Sequence, residues 1–171
     1  MRRLFALAIV PVALAAFAGT AHADTDRSAP VRGSFLELGP LNVISDRFTP
    51  NGTEIIDSDH PIVFEGGLTG TSTSFEHTVI HADGTFTTDN LELFSGRVTG
   101  TSGHVLGTGT IDIVFIAVGD FTSNNGNGQF HAQWGIVGAG GALRGLHGGG
   151  TSVGEPGVPG GNGTFDGTVW S

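Results

Sequence analysis

From about Gly33 onward, apolar and polar residues alternate in short runs with a two-residue period, and no stretch keeps a 3.6-residue period. Gly, Asn, Asp and Pro punctuate the runs. The pattern predicts strands at Gly33–Leu38, Ile62–Thr69, Ser74–Ala82, Thr85–Thr99, His104–Val118, Gln129–Val137 and Gly163–Trp170, the longer ones bent or split at a glycine. His81-Ala82-Asp83-Gly84-Thr85 carries an Asp-Gly turn, and Asn124-Asn125-Gly126-Asn127-Gly128 offers a second; both read as hairpins. Ile111 to Val118 is almost unbroken apolar, which predicts a strand covered on both faces, by the chain's own N-terminal segment or by a neighbouring subunit. Ser45 to Pro61 is polar and holds Pro50 and Pro61, so it reads as a long loop around one short strand. Gly148 to Gly163, with Pro156 and Pro159, reads as a mobile surface loop.

A repeat overlies this pattern. Phe64-Glu65-Gly66-Gly67-Leu68-Thr69-Gly70-Thr71-Ser72 returns 30 residues later as Phe94-Ser95-Gly96-Arg97-Val98-Thr99-Gly100-Thr101-Ser102, with six of nine positions identical, and Phe165-Asp166-Gly167-Thr168-Val169 echoes it. In a strand, the Phe, the Gly and the aliphatic residue at i, i+2 and i+4 share one face. Glycines recurring at such places mark bends or close approaches, which is how a sheet curls into a barrel.

The N-terminus departs from this pattern. Arg2 and Arg3 precede an apolar run from Leu4 to Ala18, and Ala21-His22-Ala23 supplies a small-x-small cleavage site. Residues 1–23 therefore read as a secretory signal peptide cleaved after Ala23, followed by a polar lead over 24–32 and a β-barrel domain over 33–171. The expected location is secreted, periplasmic or at the cell surface, with no stable membrane association after cleavage.

Composition narrows the chemistry. The 171 residues include 30 glycines but no cysteine, lysine or tyrosine. That removes disulfides, thiolate nucleophiles, zinc–thiolate sites, the Walker lysine and Schiff-base chemistry. Five arginines against 16 acids leave the chain after Ala23 at −11, which argues against nucleic acid as a partner. The lysine-free, Ala/Gly-rich composition suggests a bacterial source. No Gly-x-Ser-x-Gly elbow or Gly-x-Gly-x-x-Gly helix opening occurs.

Trp134-Gly135-Ile136-Val137-Gly138-Ala139-Gly140-Gly141-Ala142-Leu143-Arg144-Gly145-Leu146-His147-Gly148 reads as a strand, a Gly-rich turn and then Leu-x-Gly-Leu-x-Gly. Together with Gly163-Thr164-Phe165-Asp166-Gly167-Thr168-Val169 and the Phe-x-Gly repeats, it resembles the allene oxide cyclase barrel-like superfamily, which includes dirigent proteins and bacterial domains of unknown function. The resemblance spans about Phe64 to Trp170. It implies an all-β fold, a single antiparallel eight-stranded barrel with a central apolar cavity, and a homo-oligomer, trimeric as in plant members. It also implies a small apolar molecule as partner, held or steered inside the barrel. No catalytic residue carries over, because the early strands offer no alignable motif.

Candidate chemistry comes instead from face sharing. Glu37 shares a strand face with Phe35, Glu92 with Phe94 and Val98, and His77 with Phe75 and Val79. If those faces line a cavity, Glu37, Glu92 and His77 are the candidate proton-transfer residues, since desolvation raises a carboxyl's pKa. His77 and His81 share a face roughly 13 Å apart, too far to ligate one ion. The sequence contains no His-x-His pair, so neither a metal nor a cofactor is expected. Three functions remain open: a small-molecule binding or steering protein, a cofactor-free isomerase or cyclase using Glu92 or Glu37, and a filled barrel serving as a structural or interaction module.

Overall fold

A computed structural model describes residues 28–157 and 161–171; the expected signal peptide and its cleavage site lie outside the described residues. The chain forms β1 (Ser28–Glu37), β2 (Asn42–Phe48), β3 (Glu54–Gly66), β4 (Leu68–Ile80), β5 (Thr85–Thr99), β6 (Val105–Asp120), β7 (Gln129–Gly141), β8 (His147–Glu155) and β9 (Asn162–Trp170). A short turn, α1 (Ser123–Gly126), joins β6 to β7, with Asn124 and Asn125 in left-handed backbone. All nine strands belong to one antiparallel sheet, as the two-residue alternation requires.

Eight of them close into a barrel-like ring. β1 pairs with β9 along one edge, from Ser28↔Trp170 to Leu36↔Asn162. Its last residues pair with β3 along the other edge, from Gly33↔Gly66 to Glu37↔Ile62. β2 follows β1 on that same edge of β3, pairing from Asn42↔Asp59 to Phe48↔Glu54. Between them the chain turns at Gly39, whose φ is +75°. Pro61 sits opposite this break, where its carbonyl accepts a hydrogen bond from the Leu38 N–H at 2.8 Å. A strand residue's N–H and C=O point to the same neighbour, so the missing N–H of Pro61 falls at the gap between β1 and β2 and breaks no ladder bond. That is why the segment read as a loop from Ser45 to Pro61 instead holds the first half of β3.

Gly148 to Gly163 also differs from expectation, since its first half is β8. Strand backbones approach so closely here that side chains would be excluded. A Cβ on Gly150 would meet the Asp166 carbonyl and lie 2.6 Å from the Cα of Gly167. The two copies of the repeat are likewise not equivalent: Gly66 and Gly67 make the tight β3–β4 bend, whereas Gly96 lies inside β5.

The ring has a packed end and an open end. Phe64 is the hub of the packed end, with the Phe35, Phe94 and Phe165 ring centroids 5.9, 5.7 and 6.0 Å away. Trp134 stands edge-on to Phe165, and Leu143 and Leu146 from the β7–β8 turn are buried with them. Full burial of such a ring contributes about 2–3 kcal/mol. Trp170 sits at the rim, stacked on His147. Inward glycines make room for these rings. In register, Phe165 faces Gly33, Phe35 faces Gly163, Phe86 faces Gly119 and Phe130 faces Gly154, each ring occupying the space where a Cβ would stand.

On the outside, Val114, Ile116 and Val118 of β6 are 36%, 40% and 55% exposed, and Phe75 and Leu91 align with Val114 across β4 and β5. Among the described residues nothing covers this face. Only one face of the Ile111–Val118 run is buried by them.

Gly33 and Gly135 provide a test of the glycine packing. A Cβ on Gly33 would collide with the Glu65 carbonyl and lie 2.6 Å from the Phe165 ring, whereas one on Gly135 meets nothing nearer than 3.8 Å. Gly33→Ala is expected to destabilise the protein by about 1–3 kcal/mol. Gly135→Ala should be neutral or stabilising by up to about 1 kcal/mol. Urea unfolding midpoints measure both, and equal midpoints for the two variants would contradict the packing account.

Candidate functional site

Toward the open end the interior changes character. The inward residues of β3, β4 and β5 become polar: Ser58 and His60; Ser72, Ser74, Glu76 and Thr78; Thr88, Asn90 and Glu92. β1 adds Glu37 as its last residue. A cavity of about 150 Å³ occupies this half of the barrel. Phe64 and Phe115 lie on its inner side, Ile56, Ile80, Phe86 and Phe130 line its walls, and Glu37, Glu76 and Glu92 reach its surface. Pro156 and Gly157, on the β8–β9 connection, border the mouth. That connection also holds β1 in place, because the Glu37 N–H donates to the Gly161 carbonyl at 2.8 Å.

Glu92 is 2% exposed and accepts a 2.6 Å hydrogen bond from the Ser72 hydroxyl. Burial pushes its carboxyl up to about 7; the Ser72 bond works against this and the nearby Glu76 carboxylate adds to it. Glu76 accepts from the Ser74 hydroxyl at 3.3 Å, and burial raises its pKa as well, partly opposed by His60. His60 is 2% exposed, as buried as Glu92. Its Nε2 stands 3.8 Å from Glu37 Oε1 and 3.8 Å from Glu76 Oε1, too far for a hydrogen bond to either. Neither ring nitrogen has a hydrogen-bond partner among the described residues. Burial lowers the pKa of His60, but the attraction of Glu37, Glu76 and Glu92 outweighs it and the net shift is upward. Three carboxyls and one imidazole thus share a small volume, in which the protons of Glu76, Glu92 and His60 depend on one another.

The three residues singled out from the sequence separate here. Glu37 and Glu92 face the cavity. His77 does not: with Phe75 and Val79 it points outward, its side chain 40% exposed and its Nδ1 2.6 Å from Asp57 Oδ1. Ser45 donates to the other Asp57 oxygen at 2.5 Å and Arg47 stands 3.7 Å from it, so this outer group ties β2 to β3 and β4. The His77 bond first, then the Ser45 bond, hold the Asp57 carboxyl below its usual range. Because Asp57 stands between the serine and the histidine, the hydroxyl activates nothing, and the trio lacks the order of a nucleophile and its base.

His60 and Glu76 were legible but missed. Counting back in twos from Phe64 through Ile62 reaches His60, and counting forward from Leu68 through Gly70, Ser72 and Ser74 reaches Glu76. The apolar Phe75 and Val79 suggested the opposite face of β4 as the interior.

No protein-family model matches this chain, and no curated protein matches it.

The buried carboxyls dictate a pH response. Glu92 stays protonated in the folded barrel to about pH 7 but ionises near 4.5 when unfolded. Its stabilisation is full below about pH 4.5 and is lost as the pH rises toward 7. Glu76 and His60, both shifted upward, act in the same direction, His60 above its unfolded 6.5. Urea unfolding in metal-free buffer should therefore show stability falling between pH 4.5 and 8. Glu92→Gln should flatten the profile and gain roughly 3 kcal/mol over the parent at pH 8. Parallel profiles for parent and variant would rule this out.

Proposed function

We propose that the protein is an exported barrel of the allene oxide cyclase-like kind whose function is to hold a small, largely apolar molecule bearing one polar group. The cavity carries this reading. Apolar walls surround it on most sides, and the polar atoms converge on one side, where Glu37, Glu76 and Glu92 meet. This is the composition of a small-molecule site, in which apolar contact supplies affinity and a few placed polar groups supply orientation. A cavity of about 150 Å³ suits a single ring or a short branched chain. The packed end supports the same reading over a barrel filled along its whole length, since its tight aromatic cluster stops at Phe64 and Phe115 and space begins there.

Ligands of this size bind with Kd of about 1–100 µM when well enclosed. Native mass spectrometry of the protein with a panel of single-ring and short branched alcohols and ketones, of the size of cyclohexanol, should reveal a one-to-one adduct. Ala117→Trp, which places an indole in the cavity, should remove it while leaving the fold intact by circular dichroism. A barrel that takes up none of the panel and carries no co-purifying mass would overturn the reading.

Glu92 supports a second reading, a cofactor-free isomerase or cyclase. A carboxyl with a pKa of about 7 serves as proton donor and acceptor at neutral pH, and Ser72 fixes its orientation. Ring closure or double-bond migration needs such a group beside an enclosed apolar substrate. If a bound molecule is converted, Glu92→Gln should slow the conversion by about 10²–10⁴-fold without weakening binding. Product analysis by gas chromatography measures this, and an unchanged rate would remove Glu92 from the chemistry.

A further inference from the structure

His60 is the group that acid–base chemistry at Glu92 leaves unexplained. A buried imidazole with neither nitrogen hydrogen-bonded is costly, because the water it gave up is not replaced by any partner. Glu37 and Glu76 converge on its Nε2 from β1 and β4, yet both stop at 3.8 Å. Hydrogen bonding would draw a carboxylate to about 2.8 Å. Two ligands bound to one ion at about 2.1 Å each instead stand roughly 3–4 Å apart. One atom each from Glu37, His60 and Glu76 lie within 4.8 Å of one another.

We infer that Glu37, His60 and Glu76 form a binding site for one divalent first-row transition ion, with its remaining coordination positions facing the cavity. The donor set fits this class of ion: an imidazole nitrogen with two carboxylate oxygens suits zinc, manganese or iron(II). The charge fits as well. Two carboxylates and a neutral imidazole carry −2, which a divalent cation cancels without bringing in a counter-ion. Three rigid strands supply the ligands, and the Gly161 segment packed against the Glu37 carboxyl limits where that carboxyl can go. The Ser74 hydroxyl on Glu76 Oε1 is the kind of outer hydrogen bond that orients a ligating carboxylate. Because Glu37 and Glu76 both reach the cavity surface, the open positions of the ion face the space where a ligand would sit. Three protein ligands with open positions are the arrangement of ions that polarise a bound oxygen. The site itself stands independently of the small-molecule reading; only polarisation of a ligand's carbonyl or hydroxyl rests on it.

The test uses the full chain, purified, stripped with chelator and given Zn²⁺ alone, with metal counted by mass spectrometry after gel filtration. One equivalent is expected to remain. Glu37→Gln and Glu76→Gln should each weaken retention at least about 10-fold, whereas His77→Ala on the outer face should retain zinc like the parent. Should either glutamine variant misfold, Mn²⁺ titration of the parent decides: the ring signals of buried His60 should broaden before those of exposed His104 and His147. Retention below a tenth of an equivalent would overturn the site. So would retention that survives both glutamine substitutions but fails in His77→Ala, or broadening that begins at the exposed histidines. Adduct formation measured in chelator reports on the cavity separately, so failure of one proposal leaves the other standing.

Discussion

An aromatic ring seated over a glycine of the neighbouring strand is the contact on which this barrel depends. Eight strands enclose only a narrow interior, and side chains from every strand cannot all point into it at once. Here rings and gaps alternate: Phe165 over Gly33, Phe35 over Gly163, Phe86 over Gly119, Phe130 over Gly154. Each pair lets one large side chain fill the volume of two and lets the backbones draw close enough to curl. The same device sets the position of the cavity. The interlocked rings form a plug around Phe64 at one end; beyond it Phe86 and Phe130 stand at the walls, and short or polar residues of β3, β4 and β5 leave space between them.

The space is held open by groups that do not favour collapse. Carboxyls at Glu37, Glu76 and Glu92 repel one another when ionised, and burial makes ionising Glu76 and Glu92 harder still. At an effective dielectric of about 20, unit charges about 4 Å apart interact by roughly 4 kcal/mol. A barrel stabilised only by its packing has no reason to bring such groups together. Bound protons, a bound cation or a bound polar ligand each relieve the repulsion. The cluster is therefore where the molecule gives up stability.

Much of the fold could be read in the sequence. β5 was bounded at Thr85–Thr99, as the structure has it, and the Asp-Gly and Asn-rich turns fall at hairpins. β8 was not readable, because a triple glycine carries no alternation and its strand character comes entirely from the two neighbours it bridges. The first half of β3 was hidden by Pro61, whose place in a strand depends on the break between β1 and β2. That omission hid His60, since a residue assigned to a loop has no face. For β4 the alternation was visible but its sense was inverted: Phe75 and Val79 look outward while Ser74, Glu76 and Thr78 look in. Apolar-in, polar-out is a rule about solvent, and a cavity with one polar wall reverses it over the open-end stretches of β3, β4 and β5. Glu37 and Glu92 escaped the inversion because each follows, by two residues, a phenylalanine that is anchored inside or precedes one.

β1 touches β3 through only the five pairs from Gly33 to Glu37, whereas the β5–β6 ladder runs nearly the length of both strands. The cylinder therefore has a seam where its ladder is shortest. Glu37 is the last rung of that ladder, and His60 lies just beyond it on β3. A parting of that seam would carry Glu37 away from His60 and Glu76 and give water a second way into the compartment, beside its mouth.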